Sequence, residues 1–152
     1  MTYKLANRIH KVQPSFTLQM ATRAAEMRAE GIDVINFSVG EPDFNTPSHI
    51  IAAGKKAMDD GFTKYTAGPG MIEFRKAICE KLERENGITY EPADILVSNG
   101  EKQSLYNVCQ ALFDEGDEVV VFRPYWVSFP EFVRLADAEP VLVETIAENN
   151  FE

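Results

Sequence analysis

The second half of the chain alternates short apolar runs with helix-like segments, and this order restricts the folds open to it. The Val and Ile runs do not alternate with polar residues, which indicates strands buried on both faces, parallel to each other and joined by helical crossovers. The predicted elements are, in order, a strand at Ile95 to Val97, a helix at Glu101 to Phe113, a strand at Glu118 to Phe122, a helix at Trp126 to Ala136 and a strand at Pro140 to Val143. The sequence therefore predicts an α/β fold with a mostly parallel sheet.

The first half of the chain is predicted to hold three helices and one short strand. A helix from about Ser15 to Glu30 starts with Ser15 or Thr17 as a possible cap. The remaining elements are a strand at Val34 to Phe37, an irregular loop at Gly40 to Pro47, an amphipathic helix capped by Ser48 and ending before Gly61, and a third helix that follows Gly70 and ends near Gly87.

Charge and cysteine content exclude some classes of partner. The chain carries 24 acidic against 15 basic residues, a net charge of -9, which opposes binding to nucleic acid through clustered Lys and Arg. Cys79 and Cys109 lie in apolar helical patterns, and no Cys or His spacing indicates a metal site. The start of the sequence lacks a signal-peptide core and no apolar run is long enough to span a membrane. We therefore expect a reduced, cytoplasmic protein.

Two features point to one sheet edge. The segment Ser98 to Gln103 joins a predicted strand to a helix, and the amides at a helix start can bind phosphate. A tight turn capped by Asn99 or Ser98 explains the same residues equally well. Trp126, the only tryptophan, follows the next predicted strand at the same edge. A phosphate site beside a flat aromatic side chain predicts a phosphorylated aromatic cofactor.

Four spaced motifs resemble those of class I aminotransferases of fold-type I, and the resemblance is greatest to the bacterial aspartate aminotransferase branch. The motifs are Val39 to Pro47, Lys64-Tyr65, Ser98 to Gln103 and Pro124 to Ser128. The resemblance implies the N-terminal part of the pyridoxal-phosphate transferase fold. Residues 1–13 would form an N-terminal arm, 14–44 part of a small domain, and 45–152 the first half of the large cofactor-binding domain.

The same resemblance implies a role for individual residues. Trp126 would stack on the pyridine ring of pyridoxal phosphate and border the substrate, although a core tryptophan is the alternative. The turn at Gly100, Glu101 and Lys102 would hold the cofactor phosphate.

Three further roles follow from the resemblance. Tyr65 would reach the phosphate of a neighbouring subunit in a homodimer, or else be an ordinary surface tyrosine. Gly40 would lie against the substrate α-carboxylate, or else only end a strand. Pro124 would follow a cis peptide bond.

The activity implied is transfer of an amino group from an amino acid, aspartate or glutamate first, to a 2-oxo acid. The Schiff-base lysine of these enzymes follows the tryptophan motif, whereas Lys102 is the last lysine here. We therefore expect a portion of a longer enzyme, inactive alone. Gln13 stands where relatives acting on dicarboxylates can carry a basic residue. The alternatives are a pyridoxal-phosphate lyase or synthase of the same fold, and a truncated non-catalytic chain.

Overall fold

A computed structural model describes residues 3–151 of the chain. Within them the helices are α1 (Phe16–Ala29), α2 (Ser48–Asp59), α3 (Ile72–Asn86), α4 (Glu101–Leu112) and α5 (Phe129–Leu135). The strands are β1 (Glu118–Arg123) and β2 (Glu139–Glu144), and short 3-10 helices lie at Asn7–His10, Pro92–Asp94 and Ala147–Asn149. No helix of the described part has both the length and the apolar character that crossing a bilayer requires.

Local sequence signals account for the helix ends. Helix α1 begins after Ser15, whose hydroxyl accepts a hydrogen bond of 3.4 Å from the Leu18 amide, so the predicted cap is confirmed. Helix α3 ends at Gly87 in the left-handed conformation, as predicted. The cap predicted for α2 is wrong by one residue. Ser48 is already helical, because the Pro47 carbonyl accepts the first amide hydrogen bonds of this helix.

The two strands form a parallel pair, which confirms the predicted strand direction. The register runs from Glu118 opposite Glu139 to Arg123 opposite Glu144. The helix between them begins at Phe129 rather than at Trp126, because residues 126–128 form a turn closed by the Phe129 amide on the Trp126 carbonyl.

Two predicted strands are not present in the described residues. The segments at Val34 to Phe37 and at Ile95 to Val97 have no strand partner, so neither is a β-strand. The second is extended, but the Val97 amide donates instead to the Pro69 carbonyl at 3.0 Å. An apolar run forms a strand only when another backbone pairs with it, and sequence pattern alone does not show that partner.

Strand β1 is buried on one face only, so the predicted two-sided burial is wrong. Val121 is 8% exposed, whereas Val120 and Phe122 are 55% and 62% exposed. Helix α5 packs against both strands. The buried cluster consists of Cys109, Phe132, Val133, Ala136 and Ala138, with Leu105, Phe113, Val119 and Phe129 packed against it.

The two cysteines differ in burial. Cys109 is part of the buried cluster, as predicted, and burial raises the pKa of its thiol. Cys79 is half-buried, and both are free thiols.

The chain divides into two compact units. One contains the described residues up to Gly40 together with those from Leu105 on, and the other consists of Glu41–Ser104. The functional boundaries expected near residues 13 and 44 stay a prediction.

Candidate functional site

Trp126 lies in the connection between β1 and α5, and its ring packs against two aromatic side chains of α5. Its ring meets that of Phe129 edge-on, with centroids 5.8 Å apart and planes at 79°, and lies 6.4 Å from the tilted ring of Phe132. The residue is 44% exposed, so it is not a core tryptophan. A ring that packs against two phenylalanines in a partly exposed residue is suited to bind a flat ligand.

Contacts from Glu144 and Thr145 hold Arg123, the residue at which the connection from β1 to α5 starts. The Arg123 guanidinium forms an ion pair with Glu144 and lies 5.9 Å from the centroid of the Tyr125 ring. The hydrogen bond to Glu144, followed by one to Tyr125, raises the pKa of Arg123. The Arg123 carbonyl accepts hydrogen bonds from both the amide, at 3.2 Å, and the hydroxyl of Thr145. The Arg123-Pro124 peptide bond is cis, as predicted.

Sequence analysis did not identify Glu144 and Thr145. Both residues approach Arg123 because of the register of β1 against β2. They follow Arg123 by 21 and 22 positions in the sequence, and the register brings them next to it. A charged residue and a threonine at the end of a strand are common, so the sequence contains no signal that would have identified them.

The predicted phosphate turn has the backbone that such a site needs. Gly100 has φ of 78°, a left-handed conformation that favours glycine, and its carbonyl accepts the Ser104 amide at 3.4 Å as α4 begins. The Asn99 amide donates to the side-chain oxygen of Gln103. Glu101 and Lys102 occupy the first turn of α4 and are exposed. The turn therefore presents the start of a twelve-residue helix to solvent.

The hydroxyl of Ser98 is an unusual feature of the same turn. It is buried, and it has no hydrogen-bond partner among the described residues. The alternative interpretation, in which Ser98 caps the helix, is therefore not supported. An unsatisfied buried hydroxyl costs about 1–3 kcal/mol, so this turn contains a polar group that an acceptor from outside the described chain would stabilise.

The structure shows the surroundings of the other two predicted residues but does not test their roles. Tyr65 is fully exposed. Gly40 is exposed, and a Cβ added there would meet no atom of the chain within 4 Å. Internal packing therefore does not explain the glycine, and both roles stay predictions.

The chain is similar to known proteins over almost its whole length. The sequence model of the family described as aminotransferase class I and II matches residues 32–152. Aspartate aminotransferase of Bacillus subtilis is 48% identical over 98% of the chain, and aspartate/prephenate aminotransferase of Cereibacter sphaeroides is 49% identical over 97%. The chain spans 38% and 37% of the lengths of these two relatives.

Solved structures agree with the sequence matches. The Thermus thermophilus aspartate aminotransferase with maleate superimposes with a TM-score of 0.94 at 43% identity, covering 99% of this chain and 39% of that one. The aspartate aminotransferase from Rhizobium meliloti gives the same TM-score and identity and covers 99% of this chain and 38% of that one. These matches confirm the predicted fold class, the N-terminal part of an α/β transferase fold.

Proposed function

The chain belongs to the family of class I and II aminotransferases, and from this we propose that the natural protein uses pyridoxal phosphate to transfer an amino group from an amino acid to a 2-oxo acid. Aspartate and glutamate are the first amino acids to test, because both curated relatives described above carry aspartate aminotransferase names. The observation that carries the proposal is the 48% identity to an aspartate aminotransferase over 98% of the chain.

The residues of this chain fit the cofactor. A phosphate needs hydrogen-bond donors at a positive site, and the left-handed Gly100 opens α4 with Glu101 and Lys102 in its exposed first turn. The Ser98 hydroxyl supplies a further donor that has no acceptor within residues 3–151. A flat ring needs an aromatic surface, and Trp126 meets Phe129 edge-on while remaining partly exposed.

Each residue would then have a defined role. When bound, pyridoxal phosphate supplies a ring that withdraws electrons from the substrate's α-carbon. The backbone at Gly100, Glu101 and Lys102 would bind the phosphate, with the dipole of α4 favouring its negative charge. Trp126 would orient the ring and restrict the substrate. Gly40 would let the substrate α-carboxylate approach the backbone, since it has no Cβ.

We propose a homodimer in which Tyr65 binds the cofactor phosphate of the partner subunit. The full exposure of Tyr65 supports this role, because its hydroxyl is accessible to another chain. We also propose a cytoplasmic location, supported by the two free thiols. Cross-linking and cell fractionation of the natural protein would test the two proposals separately.

We propose that residues 1–152 do not transaminate alone. No lysine occurs among residues 103–152, so the lysine that follows the tryptophan motif in this family lies outside them. The absorption spectrum of the 152-residue chain with added pyridoxal phosphate is expected to lack the band of cofactor bonded to lysine, and its transaminase activity should be undetectable. A cofactor band that survives gel filtration, together with amino transfer, would show that another group replaces the lysine.

The experiment that tests the function uses the longest natural protein containing these residues. Purified with pyridoxal phosphate, it is supplied with aspartate or glutamate together with a 2-oxo acid acceptor, or with prephenate together with an amino donor. We expect a cofactor absorption band that responds to amino acid, and equal yields of new amino acid and new 2-oxo acid. Release of ammonia or loss of a side-chain group would instead assign a lyase of the same fold. A protein with no cofactor band under any condition would be the non-catalytic chain.

A further inference from the structure

The ends of β1 and β2 meet at Arg123, three residues before Trp126. Thr145 donates two hydrogen bonds to the Arg123 carbonyl, one from its amide and one from its hydroxyl. Glu144 forms an ion pair with the Arg123 guanidinium. The side chain of Arg123 is therefore held by the last residue of β2, and its backbone is held by the residue that follows β2.

These contacts affect geometry more than stability. The Arg123 and Glu144 side chains are 43% and 67% exposed, and an exposed ion pair adds little to the free energy of folding. Together with the two hydrogen bonds from Thr145, this ion pair restricts the position at which the chain leaves the sheet. The guanidinium in turn lies over the ring of Tyr125, the residue next to Trp126.

The short segment from Arg123 to Trp126 can transmit that restraint. Pro124 has a ring-restricted φ, which removes one of the soft torsions between the two residues. At the other end the Trp126 carbonyl accepts the Phe129 amide at 3.0 Å, and the Trp126 ring packs against Phe129 and Phe132. Trp126 is thus held between an anchor on the sheet and an anchor on α5.

We propose that Thr145 and Glu144 are positioning residues for Trp126, acting through Arg123 to set the angle of the indole ring. The inference rests on the proposed role of Trp126 in binding the cofactor. It adds to the site Glu144, the last residue of β2, and Thr145, the residue that follows it.

The test compares four variants of the natural protein. Thr145→Val removes the hydroxyl and keeps the branched shape and the amide, whereas Thr145→Ser keeps the hydroxyl. Glu144→Gln removes the charge that pairs with Arg123. Glu139→Gln is the matched control, since Glu139 is an exposed glutamate at the opposite end of the same strand.

The first readout needs no cofactor. Near-ultraviolet circular dichroism and acrylamide quenching of Trp126, with Trp126→Phe as the spectral blank, report how firmly the indole is held. We expect Thr145→Val to lose much of the Trp126 dichroism and to be quenched more readily, with a smaller change for Glu144→Gln. Thr145→Ser and Glu139→Gln should match the parent.

The second readout is the affinity for pyridoxal phosphate. Loss of one hydrogen bond at the anchor is expected to weaken binding about threefold in Thr145→Val, and Thr145→Ser should restore it. If the protein binds no cofactor, the proposed function fails while the first readout still tests the positioning. If Thr145→Val only lowers the urea midpoint of unfolding and leaves the Trp126 spectra as in the parent, the positioning role is overturned.

Discussion

At the scale of single residues, the Trp126 side chain packs against its neighbours and is still partly exposed. The indole packs against two phenylalanines, and the residue is nevertheless 44% exposed. Substitution there is expected to affect packing and ligand binding together, so the variants must separate the two effects.

Trp126→Ala in the natural protein is expected to weaken pyridoxal-phosphate binding about threefold to tenfold, since a stacked aromatic pair contributes about 0.5–1.5 kcal/mol. Trp126→Phe keeps an aromatic face and should lose less. Fluorescence or absorption titration with the cofactor measures the affinities of the two variants. Unfolding curves of their apoproteins show whether packing has changed. Equal affinity in Trp126→Ala and the parent would remove the residue from the site.

Among the described glycines, Gly70 is the one at which an added Cβ would meet another side chain. A Cβ there would lie 2.8 Å from Val97 Cγ2, and φ is 102°. Gly116 has almost the same φ, 99°, with nothing within 4 Å of an added Cβ. The pair therefore separates backbone strain from steric contact.

Both Gly70→Ala and Gly116→Ala should lose about 1–2 kcal/mol from the left-handed backbone. Gly70→Ala should lose about 1–3 kcal/mol more, because Val97 would be overpacked. Urea unfolding of the two variants measures the difference. Equal losses would mean that the contact with Val97 relaxes without cost.

At the scale of elements, charged residues attach the segment at residues 8–13 to the end of α5. Lys11 Nζ lies 3.0 Å and the Arg8 guanidinium 3.6 Å from the carboxylate of Asp137. The Gln13 amide donates to Glu131 at 2.9 Å. Polar contacts on the surface, rather than buried apolar ones, hold this segment, so a single charge change should release it.

Asp137→Asn is expected to expose the arm, with trypsin cleaving after Arg8 and Lys11 about twofold faster, as expected for a surface ion pair. Asparagine tolerates the left-handed φ of 62° at this position, so the backbone should not change. Mass spectrometry of the early fragments measures the rates. Asp60→Asn, which removes the ion pair with Lys56, is the matched control. Equally fast cleavage after Arg8 and Lys11 in this control would indicate a general loosening of the fold and contradict the prediction.

The attachment of the arm should also depend on pH. The hydrogen bond from Lys11 lowers the pKa of Asp137 below its unfolded value. The stabilisation is therefore fully present above the unfolded pKa, about 3.9, and is lost as the pH falls through the lower folded value. The difference in unfolding midpoint between the parent and Asp137→Asn should be constant near neutrality and vanish in acid. A difference that persists in acid would contradict the ion-pair explanation.

At the scale of the whole molecule, apolar surface is the outstanding property. The exposed area is 12645 Å², whereas a folded monomer of 17.1 kDa exposes about 7,800 Å². Val120 and Phe122 on β1 are exposed, and so are Ile50 and Met58 on α2. Large exposed apolar surfaces mark interaction sites or favour aggregation.

The 152-residue chain by itself is expected to self-associate or to have low solubility, because these faces and the strand edges are uncovered. Size-exclusion chromatography with light scattering over a range of concentrations measures the self-association. Replacing Val120 and Phe122 with threonine tests the sheet face, and replacing Ile50 and Met58 with lysine tests α2. A soluble monomer at all concentrations would contradict the expectation.

Much of the secondary structure was predictable from local pattern. The helical periodicity, the Ser15 cap and the left-handed Gly87 located α1 and α3 within one or two residues. The cis bond at Pro124 and the glycine turn before α4 were also anticipated, because their motifs resembled those of a known family. These features depend on residues close together in sequence.

The sequence by itself determined the helices, their order and the family, since helix hydrogen bonds join residues four apart and the family motifs are contiguous. Only the tertiary structure decided which apolar runs are strands, which face of β1 is buried, and that Glu144 and Thr145 reach Arg123. Strand pairing and burial depend on partners distant in sequence. The physical reason is that an extended segment satisfies its backbone and covers its side chains only through those partners, so its own residues do not specify the outcome.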